Sequence, residues 1–171
     1  MSTDPPRDFD AVYAEHAAFV WRALRALGVA PAQLDDAMQD VFVVVHQKLE
    51  SFDGEARLTT WLFAIARRIA SHYRRAAGRA ARSEAVDHEI ASETSTFEET
   101  SRREAAALVT AILAELDDDK RDLLVLVELE QVPVPEVAAY LGIPLNTAYS
   151  RLRLARRAFD AALARRRGGR R

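Results

Sequence analysis

The sequence predicts an all-α protein built from two small helical domains that are joined by a flexible linker. Apolar residues recur at helical spacing through most of the chain, and no segment shows the alternation that a half-buried strand requires. A third observation divides the chain, because large apolar residues are nearly absent from 76–101. The 171 residues suffice for two domains of about 70 residues, each with its own core. We expect the first domain at 1–76, the linker at 77–103 and the second domain at 104–171.

Three helices are expected in the first domain. Apolar spacing predicts the first helix over 9–27, and Gly28 follows it where a helix C-cap favours glycine. Pro31 suits the first turn of a second helix over 31–49. A third helix is expected from 58 to about 75. These helices would pack into one small bundle.

The second helix carries polar residues on a flank away from its apolar stripe: Asp35, Asp36, Gln39 and Asp40. Acidic residues near a helix N-terminus are stabilising by themselves, so capping is one interpretation. The functional interpretation is a docking face for a basic partner helix.

The third helix is basic. It lies within 57–82, which holds seven arginines and no acidic residue, with aromatic side chains between them. Basic side chains neutralise phosphates and aromatic faces stack on unpaired bases, so the segment suits DNA that is being opened. The alternative is a helix that merely exposes arginines to water, and the segment alone favours that alternative.

The predicted linker is acidic and too poor in apolar residues to form a core. Its carboxylates are Glu84, Asp87, Glu89, Glu93, Glu98 and Glu99. We hypothesise that they screen the basic helices until a partner binds.

The second domain is expected to begin with a helical run over 103–116. Asp117 or Asp118 then caps a helix that continues to Leu129. A short connection over 130–134, which contains Pro133, leads to the last two helices.

Those last two helices form a predicted helix-turn-helix. The first begins at Pro135, Gly142 permits the positive φ of the tight turn, and the second begins near Leu145 and runs into an Arg-rich tail. The second helix offers side chains suited to base edges and phosphates: Asn146, Thr147, Tyr149, Ser150, Arg151, Arg153 and Arg157. An ordinary helical hairpin with a solvated basic face is the alternative, and the absence of acidic residues until Asp160 favours DNA.

The composition argues against several classes of function. The chain has no cysteine, so disulfides, thiolate metal sites and cysteine nucleophiles are excluded. Its four histidines lack metal-ligand spacing, and no phosphate-binding glycine loop or nucleophile motif appears. We expect no catalytic residues, metal or cofactor, and therefore no enzyme. The polar start and the lack of a long apolar stretch predict a cytoplasmic protein without membrane insertion.

Three stretches in one order resemble the extracytoplasmic-function sigma factors of the sigma-70 superfamily. The stretch 34–42 is similar to the family's first signature helix, and 52–67 is similar to its loop and promoter-reading helix. The stretch 136–156 resembles its terminal helix-turn-helix. The similarity spans 9–76 and 104–163.

The resemblance implies an RNA polymerase sigma factor that directs promoter-specific transcription initiation. In the first domain, residues Asp35, Asp36, Gln39 and Asp40 would bind core RNA polymerase. Residues that would recognise the minus-10 element are Phe52, Asp53, Arg57, Trp61, Arg67, Arg68 and His72. The last helix would read the minus-35 element of promoter DNA, and an anti-sigma factor is the implied inhibitory partner.

Some positions depart from the family's pattern. Arg68 stands where asparagine is frequent and His72 where aspartate is common, so the promoter sequence is not implied. The alternative function is a one-component helix-turn-helix transcriptional regulator, which would bind duplex DNA by itself as a dimer. A helical enzyme and an anti-sigma or scaffold bundle are further alternatives.

Overall fold

The computed structural model describes residues 8–54, 57–83 and 97–168, and every regular element in these ranges is helical. The all-α, two-domain prediction is therefore confirmed. The first domain contains α1 (Phe9–Ala26), α2 (Leu34–Lys48) and α3 (Leu58–Ser83), with single 3-10 turns at Pro31–Gln33 and Leu49–Ser51. The second domain contains α4 (Phe97–Glu115), α5 (Asp118–Leu124), a π-helical turn (Val125–Leu129), α6 (Val134–Leu141) and α7 (Leu145–Gly168).

The first domain is a bundle in which each helix packs on the other two. Asp8 caps α1, since its carboxylate accepts a hydrogen bond from the amide of Asp10 at 3.2 Å. Gly28 adopts φ 89° just after α1, as the sequence predicts, and turns the chain toward α2. Fully buried apolar side chains form the centre: Val20, Leu24, Val41, Val45, Leu62 and Phe63.

The helices reach further into the predicted linker than expected. α3 continues to Ser83 rather than ending near Arg75, and α4 begins at Phe97 rather than Arg103. Alanine and arginine dominate the extension of α3, and their high helix propensity needs no apolar partner. The proposed screening carboxylates lie outside the described residues (Glu84, Asp87, Glu89, Glu93) or have side chains outside the description (Glu98, Glu99). Their screening role therefore stays a hypothesis.

A buried arginine fixes the corner between α4 and α5. Asp117 caps α5 as predicted, accepting from the amide of Lys120 at 2.9 Å. Arg121 donates from Nε to the carbonyl of Leu113 at 2.8 Å and from its guanidinium to that of Leu116 at 2.7 Å. These bonds bring side-chain donors to carbonyls at the end of α4, where the helix lacks further i+4 amides of its own.

The predicted helix from α5 to Leu129 instead changes to π-helical geometry at Val125. Beyond the π turn Gln131 has φ 55°, and Pro133 leads into α6. Gly142 ends α6 with φ 63°, as the helix-turn-helix prediction requires. α7 runs to Gly168, and Glu115 pairs with Arg165 and Arg166 near its end. Most of the Arg-rich tail is therefore part of α7.

The two domains share one continuous apolar core. α1 contacts α4, and the ring of Phe63 on α3 meets that of Tyr140 on α6 edge-on, with centroids 6.2 Å apart. α3 therefore contacts both its own bundle and the second domain.

Candidate nucleic-acid and protein interfaces

The predicted polymerase-docking residues form an exposed patch on α2. Asp35, Asp36, Gln39 and Asp40 are all exposed. The structure brings them to one flank because they lie within two turns, and buried Leu34, Ala37 and Val41 anchor the opposite side of the helix.

An apolar groove of about 640 Å³ adjoins this patch, and Asp35 and Gln39 form part of its wall. Its other lining residues are Phe9, Tyr13, Trp21, Met38, Phe42, Val43, His46 and Gln47. Trp21 and Tyr13 are 37% and 47% exposed, although sequence periodicity assigns both to the apolar stripe of α1. The helical spacing is confirmed by α1, and these two side chains reach the surface of the bundle. The sequence signal for this groove lies on α2. The unbroken apolar run 41–45 is wider than one buried helix face requires, and Phe42 and Val43 of that run line the groove.

A hydrogen bond joins the docking patch to α3. The Tyr73 hydroxyl donates to a carboxylate oxygen of Asp40 at 2.8 Å. Burial, together with this bond to the Asp40 carboxylate, raises the pKa of Tyr73 to about 12. Sequence reasoning counted Tyr73 only among the aromatic side chains between the arginines and did not predict this bond, because Asp40 lies 33 positions away.

The predicted minus-10 residues divide between two faces of α3 and its preceding loop. Phe52 packs against Trp61 with ring centroids 5.0 Å apart, so the loop and the helix form one half-exposed aromatic platform. Arg68 and His72 are exposed two and three turns further along the same side as Trp61, and Asp53 is exposed in the loop. Arg67 lies on another face.

That other face points at the second domain, and within the part of the chain that the structure describes four ion pairs join the two domains. Arg67 Nε pairs with Asp122 of α5, and Arg57 Nε lies 2.9 Å from Glu136 Oε2 of α6. Two further pairs join Arg74 to Asp118 at 3.3 Å and Arg22 to Glu130 at 2.9 Å. Two of the seven predicted minus-10 residues are thus paired with carboxylates of the second domain.

Asp122 is the most buried member of these pairs, with 2% of its side chain exposed. Burial raises its pKa to about 6, even though the charge and hydrogen bond of Arg67 act in the opposite direction. Asp118 also raises the pKa, whereas Arg121 lowers it. The cost of desolvating this carboxylate therefore exceeds the benefit of its partner.

The predicted recognition helix presents its polar side chains to solvent. Asn146, Tyr149, Arg153 and Arg157 are exposed along one side of α7, while buried Ala148 and Leu152 seat the helix on its domain. The Ser150 hydroxyl donates to the carbonyl of Thr147 at 2.9 Å, and both residues are half-buried. Arg151 NH1 lies 3.5 Å from Asp119 Oδ2, a long contact between exposed groups. Most of the predicted recognition residues are therefore exposed to solvent.

A second groove, of about 350 Å³, lies on the second domain and was not predicted. Its apolar lining is Val109, Leu113, Leu124, Leu129 and Phe159, and the ion pair of Glu128 and Arg156 stands at its edge. Leu129 is exposed at the π turn, whose geometry the sequence did not indicate.

The described ranges contain no group of three or more His, Asp or Glu side chains arranged to hold a metal ion. In the same ranges, the combination of length and apolar composition needed to cross a bilayer occurs in no helix.

Comparison with known proteins matches both halves of the chain. Residues 12–80 match the model of Sigma-70 region 2, and 106–159 match that of Sigma-70, region 4. The ECF RNA polymerase sigma-E factor of Escherichia coli K12 is 32% identical over 145 residues, which covers 77% of this chain and 74% of that protein. The RNA polymerase sigma factor CnrH of Cupriavidus metallidurans is 29% identical over 166 residues, covering 92% and 87%.

Two solved structures have the same overall fold. CnrH in complex with the cytosolic domain of CnrY gives a TM-score of 0.69 at 26% identity and covers 95% of this chain and 91% of that one. The sigma factor RpoE of Bartonella quintana, in complex with the anti-sigma factor NepR, gives 0.67 at 22% identity and covers 92% and 98%.

Proposed function

The chain belongs to the extracytoplasmic-function sigma factors of the sigma-70 superfamily, and from that premise we propose which of its surfaces bind core polymerase and which bind promoter DNA. It is an RNA polymerase sigma factor. The observation that carries this conclusion is the presence of both family regions in order, at 12–80 and 106–159, in a chain that is 32% identical to a sigma-E factor over 77% of its length. A one-component regulator is not favoured, because it would leave the first region without a role.

The proposed binding roles are assigned to the predicted domains. We assign core polymerase binding and minus-10 recognition to 1–76, and minus-35 recognition to 104–171, with 77–103 between them. The gap between the two matched family regions, 81–105, overlaps that connection over 81–103, which supports this division.

Core polymerase would bind the exposed flank of α2. Carboxylates of Asp35, Asp36 and Asp40, with the amide of Gln39, suit a basic partner helix. The adjoining groove offers Trp21 and other apolar side chains that a partner could cover. An acidic patch beside an apolar groove provides both charge steering and apolar burial.

Minus-10 recognition would use the platform of Phe52 and Trp61. Opening a duplex costs a few kcal/mol of unstacking free energy. An aromatic face that stacks on the extruded base offsets part of this cost. Asp53 lies in the loop beside the platform, and Arg57, Arg67, Arg68 and His72 would line the path of the strand. Arginines contribute by neutralising phosphates.

Minus-35 recognition would place α7 in the major groove. Asn146, Thr147, Tyr149 and Ser150 lie near the helix N-terminus, where a recognition helix contacts base edges. Arg151, Arg153 and Arg157 follow, within reach of bases or phosphates.

An anti-sigma factor is the proposed inhibitory partner. The solved CnrH structure holds the cytosolic domain of CnrY, and this chain shares that fold over most of its length. We place the protein in the cytoplasm, where polymerase acts, and assign it no enzymatic activity and no cofactor.

Co-elution with purified core RNA polymerase tests this function. We expect a stoichiometric complex in gel filtration, and weak binding of duplex DNA by the chain alone. Failure to bind polymerase, together with tight binding of duplex DNA as a dimer, would replace the sigma factor with a one-component regulator.

A further inference from the structure

The proposed polymerase-docking patch on α2 meets α3 along one edge. Asp35 and Gln39 border the apolar groove. Asp40, in contrast, accepts a hydrogen bond from the hydroxyl of Tyr73 on α3 at 2.8 Å. The charge of Asp36, one turn before Asp40, also acts on Tyr73, so both carboxylates lie near this tyrosine. A side chain of α3 therefore contacts a patch whose proposed polymerase ligands all belong to α2.

The bundle fixes the position of Tyr73, and Tyr73 in turn orients Asp40. The ring of Tyr73 is half-buried and packs against the apolar core, which determines where its hydroxyl lies. Asp40 is exposed, and an exposed aspartate without such a bond exchanges rapidly among its side-chain rotamers. The hydroxyl contacts one of the two carboxylate oxygens, and within the described ranges the other oxygen accepts no hydrogen bond. The carboxylate is thus oriented and keeps an oxygen for a partner.

We propose that Tyr73 is a positioning residue for core polymerase: its hydroxyl holds the Asp40 carboxylate in the orientation that a basic side chain of polymerase binds. This role rests on the proposed binding of core polymerase by Asp40. It adds a residue of α3 to a docking site assigned so far to α2. Tyr73 acts through Asp40 and is not itself a ligand of polymerase.

Orientation before binding strengthens the complex, because ordering a side chain at an interface costs free energy. In the wild-type chain, folding has already ordered the Asp40 carboxylate. Without the hydroxyl, Asp40 keeps its charge and its attraction for a cation, but the binding step must then order it. Loss of this one contribution corresponds to a complex that is about threefold to fivefold weaker.

Removal of a single hydroxyl group tests this role in the full chain. Tyr73→Phe keeps the ring in the core and deletes the donor, and Asp40→Ala deletes the carboxylate. The dissociation constant for purified core RNA polymerase would be measured for the wild type, for each single variant and for the double variant. No DNA is present, so a disturbance of the neighbouring His72 does not enter the result. Scalar couplings measured by NMR in the free chain would report the side-chain rotamers of Asp40.

We expect Tyr73→Phe to weaken polymerase binding about threefold to fivefold and to distribute Asp40 among several rotamers. In the Asp40→Ala background, the same substitution should change the dissociation constant by less than about 1.5-fold, because the group that Tyr73 orients is gone.

Two control variants separate positioning from stability. Tyr140→Phe removes a hydroxyl from another half-buried ring, on α6, outside the docking patch. Val20→Ala removes buried apolar atoms from the core of the first bundle and lowers its stability without touching the patch. Both variants should bind polymerase as the wild type does, provided that circular dichroism shows them folded.

Three results would overturn the positioning role. The first is an unchanged polymerase affinity in Tyr73→Phe, and the second is an equal loss in the wild-type and Asp40→Ala backgrounds. The third is an equal loss in Val20→Ala, which would assign the effect to stability. Where the wild type binds polymerase and Asp40→Ala weakens the complex, these results remove only the role of Tyr73. A wild-type chain that does not bind polymerase overturns the sigma function, and this role with it.

Discussion

The guanidinium of Arg67 on α3 is paired with the carboxylate of Asp122 on α5, 55 positions along the chain and in the other domain. The pair joins a proposed promoter-binding residue to a nearly inaccessible acid. The energy of this ion pair depends on whether Asp122 is protonated. The packing of the two domains against each other, called closure below, therefore depends on the protonation of Asp122 as well.

Closure should depend on pH through Asp122. Its pKa is about 6 in the closed structure, against an ordinary value of 3.8 when exposed. A raised carboxyl pKa means that the closed form holds the proton more tightly, so this group favours closure fully below pH 3.8 and loses that contribution as pH rises through about 6. The fraction of molecules in which the two domains have separated should therefore rise between pH 5 and pH 7. The distance between spin labels at Glu50→Cys and Ala161→Cys, two exposed sites in a chain without native cysteine, measures this separation.

Asp122→Asn removes the titrating group and is the control for this pH dependence. We expect the variant to show a nearly flat response over the same interval. A wild-type response that persists unchanged in Asp122→Asn would assign the titration to other groups, and the raised pKa would then have no part in closure.

Arg151→Ala should weaken use of the minus-35 element. Its contact with Asp119 is long and exposed, so Arg151 can turn to DNA at little cost. Binding of the holoenzyme to promoters that differ in the minus-35 element should weaken by about 1–3 kcal/mol where Arg151 reads a base edge. An equal loss on every promoter would instead identify a phosphate contact, and no loss would remove Arg151 from the interface.

Asp40→Arg should reduce binding of core polymerase while the fold is kept. The change reverses a charge in the exposed docking patch, but it also removes the hydrogen bond from Tyr73. Tyr73→Phe is the matched control, since it removes the bond and leaves the Asp40 charge. Polymerase affinity that falls equally in both variants would mean that the bond, rather than the charge, supports docking.

Gly142→Ala should lower the free energy of unfolding by about 1 kcal/mol. Gly142 has φ 63°, and a Cβ there meets no atom within 4 Å, so the cost arises from backbone conformation alone. Gly78→Ala is the contrasting variant. It also meets no atom, but it lies inside α3, where alanine should stabilise by about 1 kcal/mol. Urea denaturation checks both signs, and a destabilised Gly78→Ala would contradict the argument.

Local signals made most of the fold predictable. Gly28 and Gly142 occur where the chain needs positive φ, and Asp117 caps its helix as its residue type indicates. The length of α3 was underestimated because the prediction relied on large apolar residues, which 76–83 lacks. Helix propensity continues the helix there without them.

Features that depend on contacts between distant residues were not predictable. Nothing near Arg67 in sequence indicates that Asp122 will pair with it, because that pair depends on how two domains meet. Periodicity also placed Trp21 on an apolar face but could not tell whether a core or a partner covers that face. The residues of the candidate sites could therefore be predicted from the sequence, whereas the residues that contact them in the structure could not.

Run-off transcription with purified core RNA polymerase on a pool of genomic fragments from the host tests the central claim most directly. The account predicts new start sites that require both polymerase and this chain, and that are lost in a double variant of the platform, Phe52→Ala with Trp61→Ala. The absence of any chain-dependent start site, with a polymerase that is active with another sigma factor, would contradict it.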